Sequence, residues 1–214
     1  MIFSRRHMLT STLALTFLSG CGAVSALNQA TTPLDAYDLQ APRNLPQAGR
    51  TLARSLSIEP PTTSGALDTD RILIRPNAVQ SLYLPGVRWS EDTPQMVQTL
   101  LLRAFEDTGA LSYVGRRPLG ATGDFALISE ITDFQAELGA DGTSVTTRLR
   151  VTARMVRETD ARVLARRSFT ATAPARSNDT MDIVESFNTA SDELITDLVR
   201  WGLEAVGIGL PAGQ

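Results

Sequence analysis

Apolar and polar positions alternate most regularly between residues 145 and 155. Val145, Thr147, Leu149, Val151, Ala153 and Met155 are interleaved with Arg148, Arg150 and Arg154, the period-two pattern of a strand with one face in a core. Residues 124–137 read as a preceding strand, joined to it by the turn Gly139-Ala-Asp-Gly142. A second turn near residues 158–160 leads into a partner strand over 162–173, so three consecutive antiparallel strands are predicted. Arg148, Arg150 and Arg154 would line the exposed face of the middle one.

Two segments shift to a helical period. Ser90-Glu91-Asp92-Thr93-Pro94 offers capping side chains, early acids and a first-turn proline, and Gly109 marks a stop. Val97, Leu100, Leu101, Ala104 and Phe105 form one apolar stripe between them. The second helix is predicted from Thr180 to Leu203, with Ile183, Phe187, Ala190, Leu194, Leu198 and Trp201 inward and Val184 and Ile195 widening the stripe. Its opposite side is acidic, through Asp182, Glu185, Asp192, Glu193 and Asp197.

The first third of the chain is broken by prolines. Tyr37-Asp-Leu39 starts a short strand, residues 40–49 read as loop with Pro42 and Pro46, and Leu52–Ile58 is a strand stopped by Pro60-Pro61. A loop to Asp70 follows. Arg71–Arg75 is a strand stub bounded by Pro76, Val79–Leu84 another closed by Pro85-Gly86, and Leu111–Val114 a third. The predicted fold class is α+β: a mostly antiparallel sheet packed against two main helices, one domain over residues 35–207 with a C-terminal tail over 208–214.

The N-terminus has a different grammar. Met1–His7 is short and basic, Met8–Leu18 is mostly apolar, and that stretch is shorter than the roughly 20 residues that span a bilayer. It ends in Leu18-Ser19-Gly20-Cys21, which resembles the lipobox of bacterial lipoproteins: an apolar residue, two small ones that fit a peptidase cleft, and a thiol that accepts diacylglycerol. The expectation is a signal peptide over 1–20, acylation of Cys21, and a tether over 21–34. Ser4-Arg5-Arg6-His7-Met8-Leu9 also resembles a twin-arginine export signal, and plain Sec export fits as well. Because Gly22 follows the cysteine where an enterobacterial inner-membrane retention signal has Asp, the periplasmic face of the outer membrane is expected, with the inner membrane as the alternative.

Composition then removes most enzyme classes. The mature part would be 194 residues, one domain's worth, with 18 arginines, no lysine and 23 acids, for a net charge of −5. No whole-domain field favours nucleic acid. The one histidine is His7 and the one cysteine is Cys21. That excludes His-paired nucleophiles, lysine Schiff bases, P-loop lysines, Cys or His zinc sites and disulfides from the mature part. No cofactor, no metal and no catalytic residue are assigned. Carboxylate chemistry is what remains, from Asp68 with Asp70, Asp124, Glu130 with Asp133, and Asp182 with Glu185. Asp68-Thr-Asp70 resembles the metal-binding pair of some glycosyltransferases, a two-residue pattern common by chance. Glu130 and Asp133, three apart on a strand, would point to opposite faces. Gly207-Ile-Gly209-Leu-Pro-Ala212 matches a dinucleotide fingerprint in letters only, since it follows a helix, and reads as a fraying end.

Taken together, the lipobox, the tether, Tyr37-Asp-Leu39, the stubs at 71–76 and 79–84, and Trp89 before a capped helix resemble the ABC-type transport auxiliary lipoprotein family. So do Phe134, the arginine-bearing strand, Leu164-Ala-Arg166-Arg167-Ser-Phe169 and the closing helix with Trp201. Members resemble the lipoprotein of the paraquat-inducible intermembrane transport system, which accompanies an MCE-domain protein, an ABC permease and an ATPase. The resemblance implies a non-enzymatic, membrane-anchored subunit of a lipid transport assembly, a homo-oligomer, with phospholipid as a further partner. The rival readings are an envelope assembly or cell-wall-synthase-activating lipoprotein and a carboxylate-dependent hydrolase. For Arg148, Arg150 and Arg154 the expectation is contact with partner carboxylates or lipid phosphates, against that of an ordinary solvated face.

Overall fold

A computed structural model describes residues 33–211 except 119 and 121. Along it run β1 (Asp35–Tyr37), β2 (Leu52–Ile58), β3 (Thr62–Thr63), β4 (Leu73–Asn77), β5 (Gln80–Tyr83) and β6 (Val87–Trp89). Then follow α1 (Thr93–Asp107), β7 (Leu111–Gly115), β8 (Phe125–Leu138), β9 (Val145–Arg157), β10 (Arg162–Pro174) and α2 (Thr180–Ala205). The architecture is α+β: one curled sheet in the order β10-β9-β8-β2-β7, with two helices on its inner face.

The antiparallel meander β8-β9-β10 is as the alternation predicted. What alternation does not carry is the other edge of β8, where β2, β3 and β4 pair in series, all parallel to it. Ile58 faces Leu127, Thr62 faces Glu130 and Leu73 faces Gln135. Pro60-Pro61 separates the first two of these strands, because proline has no N–H to donate to a ladder. The sheet is therefore mixed. β4 runs through Pro76 to Asn77 and carries β5 as an outer antiparallel partner, while β1 and β6 pair in parallel apart from the main sheet.

Two bulges curl the sheet. One residue is inserted between Ile131 and Asp133 of β8, another between Val163 and Ala165 of β10. Each shifts the following residues by one, so that Phe134 lies opposite Leu149 and Phe169 opposite Val151, all four inward and buried. Without the bulges both phenylalanines would face outward.

Beneath α2 the inward aromatic rings pack against one another. Trp89 meets Phe134 and Phe187 edge-on at 6.3 and 5.2 Å, centroid to centroid, those two phenylalanines lie tilted at 5.5 Å, and Phe169 meets Trp201 edge-on at 5.5 Å. Gln98 of α1 is buried, with Nε2 donating to the Ile58 carbonyl at 2.7 Å. Gly202 lets the ring of Phe105 lie against α2: a Cβ there would stand 2.8 Å from Phe105 Cζ.

Helix ends differ from their sequence signals. Asp92 occupies the N-cap of α1 without a side-chain cap bond. The Ser90 hydroxyl donates instead to Asp38, and the Thr93 hydroxyl donates to the Thr69 carbonyl at 3.0 Å, tying the helix start to the preceding loop. The end of α2 is closed by a defined stop. Gly207 takes a left-handed φ of +83°, and Ile208, buried, donates its N–H to the Leu203 carbonyl at 2.8 Å, a glycine-centred helix stop.

Candidate functional site

Leu18, Ser19, Gly20 and Cys21 lie outside the described residues. The carboxylates weighed for catalysis do lie inside, and they are not gathered into one site. Asp124 accepts hydrogen bonds from the backbone N–H of Ser55 at 2.9 Å and from Arg54 at 2.8 Å. The Ser55 N–H, followed by the Arg54 guanidinium and the Ser55 hydroxyl, holds its carboxyl below the usual range. Asp182 is likewise lowered, first by the Ser177 hydroxyl and then by Arg176, which also bridges to Glu185. Asp70 meets Arg88 at 3.4 Å, and Asp68 is exposed. Lowered carboxyls are poor proton donors at neutral pH, the reverse of a general acid. Among the described residues no group of three or more His, Cys, Asp or Glu is placed to hold a metal ion.

The expected separation of Glu130 and Asp133 is overturned by the bulge between Ile131 and Asp133. The extra residue returns Asp133, Gln135 and Glu137 to the outer face that Glu130 occupies. There they meet the arginine row of β9. Arg150 lies directly opposite Asp133 and pairs with it at 3.2 Å. Arg148 lies opposite Gln135 and sends Nε to both oxygens of Glu137 at 3.1 Å. Gln135, buried between the two acids, donates Nε2 to both. Two of the three singled-out arginines are thus engaged within the sheet.

Arg154 differs. Its neighbours across the strands are Ile128 of β8 and Arg166 of β10, and among the described residues neither arginine has a salt-bridge partner. Arg166 escapes a reading of the sequence because the bulge at Leu164 decides its face. In an unshifted ladder it would lie opposite Ala153 and point inward.

A cleft of about 290 Å³ opens elsewhere, between the exit of β1 and the start of α1, with Leu39, Met96 and Leu100 below and Asp38, Glu91 and Arg103 around it. Among the described residues no helix is long and apolar enough to cross a membrane.

The family model of the ABC-type transport auxiliary lipoprotein component matches residues 37–199. The chain belongs to that family. Members are lipoprotein auxiliaries of ABC-type transport, and the match runs from the last residue of β1 through most of α2. Uncharacterized protein bll6063 of Bradyrhizobium diazoefficiens is 27% identical over 170 residues, 79% of this chain and 45% of that protein, so the chain spans about half the length of this curated relative. The crystal structure of XCC0632 from Xanthomonas campestris superposes with a TM-score of 0.71 at 24% identity, covering 81% of this chain and 96% of that one. A second solved structure, of an uncharacterized protein, gives 0.57 at 15% identity, covering 77% and 99%. These likenesses show the fold. Trp89, Phe134, Phe169 and Trp201, the aromatic residues on which the sequence resemblance rests, are all core rings.

Proposed function

We propose that the chain is a non-enzymatic subunit of an ABC/MCE-type lipid transport system working between the inner and outer membranes. Acylated Cys21 would hold it at the periplasmic face of the outer membrane, with the signal peptide over 1–20 and the tether over 21–34 as its leader and spacer. The family match over residues 37–199 is the observation that carries this reading. Two or three acyl chains, at about 0.8 kcal/mol per buried methylene, make such an anchor nearly permanent. The carboxylates support a binding role: they are dispersed, and those with shifted titration are shifted down. An MCE-domain protein with its permease and ATPase is the partner, and the subunit works as a homo-oligomer. Arg148, Arg150 and Arg154 are the proposed contact row for partner or lipid phosphate, with Arg154 the member that has no salt-bridge partner among the described residues.

The test is genetic. Strains lacking this chain, lacking the permease, and lacking both are compared for envelope permeability and lipid composition. Identical defects in all three are expected; additive defects would contradict a shared pathway. In the same background, alanine at Asp68, Asp70, Asp124, Glu130 and Asp133 is expected to leave complementation intact in any variant that folds, whereas loss of function in a folded variant would favour carboxylate catalysis.

A further inference from the structure

On the outer face of the sheet, one rung is built unlike its neighbours. Arg154 of β9 and Arg166 of β10 are directly opposite each other, an arrangement that costs stability because like charges share one cross-strand position. Four residues along β9, Arg150 has Asp133, and two further, Arg148 has Glu137. The same face that neutralises those arginines leaves this pair without a salt-bridge partner among the described residues, the nearest acid in register being Glu130, one rung away opposite Thr152.

The surroundings are apolar on one side and hydroxylic on the other. Ile128 flanks Arg154 on β8, and Val156 and Val163 form the next rung. Ile128 is 38% exposed and Val163 52%, so two aliphatic side chains stand in solvent beside two unneutralised guanidinium groups. In the other direction the Thr152 and Ser168 hydroxyls are 2.8 Å apart. Guanidinium groups bind phosphate through paired N–H donors, and aliphatic side chains beside basic ones are the composition of surfaces that settle at the headgroup boundary of a bilayer.

We infer that Arg154 and Arg166, with Ile128 and Val163, form a contact site for an anionic phospholipid surface, the two guanidinium groups sharing a headgroup phosphate and the aliphatic pair seated at the interface. The inference rests on the reading that Cys21 is the membrane anchor. Fourteen residues from Cys21 to Asp35 can span at most about 50 Å of extended chain, a reach comparable with the domain itself. The phosphate between the arginines would also relieve their mutual repulsion, so lipid contact and fold stability are coupled at this rung.

The test uses the full chain carrying Cys21→Ala, so that no acyl group binds by itself, in flotation with phosphatidylcholine vesicles with and without phosphatidylglycerol. Preference for the anionic vesicles is expected, with about a fivefold loss for each of Arg154→Gln and Arg166→Gln and a smaller loss for Arg148→Gln, whose partner is internal. Both variants should melt at the parent temperature or above it, since each removes the opposed charge. Arg166→Lys keeps the charge and should retain most of the binding. Ile128→Ser with Val163→Ser should weaken binding at high salt, where the electrostatic part is screened. Equal binding to both vesicle types, or undiminished binding by the folded double arginine variant, overturns the inference. So do saturation by inorganic phosphate without any vesicle preference, which would make this a free-anion site, and capture of an acidic protein without vesicle affinity. Lost vesicle binding with transporter components still co-purifying removes only this contact; the converse removes only the transport reading.

Discussion

Single residues in this fold carry effects that their neighbours explain. Ala161, in the turn joining β9 to β10, has a left-handed φ of 52°, a conformation that costs an L-residue about 1–2 kcal/mol. Ala161→Gly is expected to raise stability by up to about 1 kcal/mol, measured as a shift in thermal midpoint, because glycine's looser unfolded chain gives part of the relief back. Asp141, in the turn between β8 and β9, accepts the backbone N–H groups of Ser144 and Thr143 and the Ser144 hydroxyl. Those donors, the Ser144 N–H foremost, bring its pKa down to about 2 from 3.8. Folding thus favours the ionised form, so this contribution is complete above about pH 4 and is lost as pH falls towards 2. Stability curves of wild type and Asp141→Asn should diverge above pH 4 and converge at the acidic end. Curves that stay parallel across that range would show the turn to be indifferent to the charge.

At the scale of elements, close packing of α1 against α2 over β9 is the feature most open to disruption. Gly202→Ala would place a Cβ at 2.8 Å from Phe105 Cζ and 3.3 Å from Met155 Cε, and overpacking of this kind costs about 1–3 kcal/mol. Chemical denaturation should show that loss, and adding Phe105→Leu should recover part of it; additive losses would mean the ring is not what the Cβ meets. The helices and the three long strands were legible because their periodicities are sustained over a dozen residues or more. The bulges were not, since a single inserted residue leaves the apolar pattern readable while turning Asp133 and Arg166 to the outer face. The parallel pairing of β2, β3 and β4 was equally hidden: each is two to seven residues long, too short for a pattern of its own to show which strand it pairs with. Of the candidate surface, the arginine row of β9 was visible in the alternation. Which member remains unpaired depended on acids brought across by the bulge and on a partner strand's register.

For the whole molecule, the family match runs from the end of β1 through most of α2 and so takes in nearly the whole layered fold. Charge is unevenly arranged on it. The outward side of α2 carries Glu185, Asp192, Glu193 and Asp197, with Arg176 and Arg200 as the basic partners, while the outer face of β9 and β10 carries arginines and hydroxyls with no acid. Replacing Asp192 and Glu193, both exposed and without a salt-bridge partner among the described residues, by asparagine and glutamine should change stability by less than about 0.5 kcal/mol. A larger loss in thermal melts would mean that this face is structural and not a free surface. The central claim is that the chain serves an ABC-type lipid transporter from a membrane anchor. Its most direct test is affinity purification of the tagged chain from detergent-solubilised membranes, beside Cys21→Ala as the unanchored control, with partners identified by mass spectrometry. Recovery of an MCE-domain protein, with permease and ATPase, dependent on Cys21, is the expected result. Recovery of cell-wall synthases or outer-membrane assembly machinery with no transporter component would contradict it.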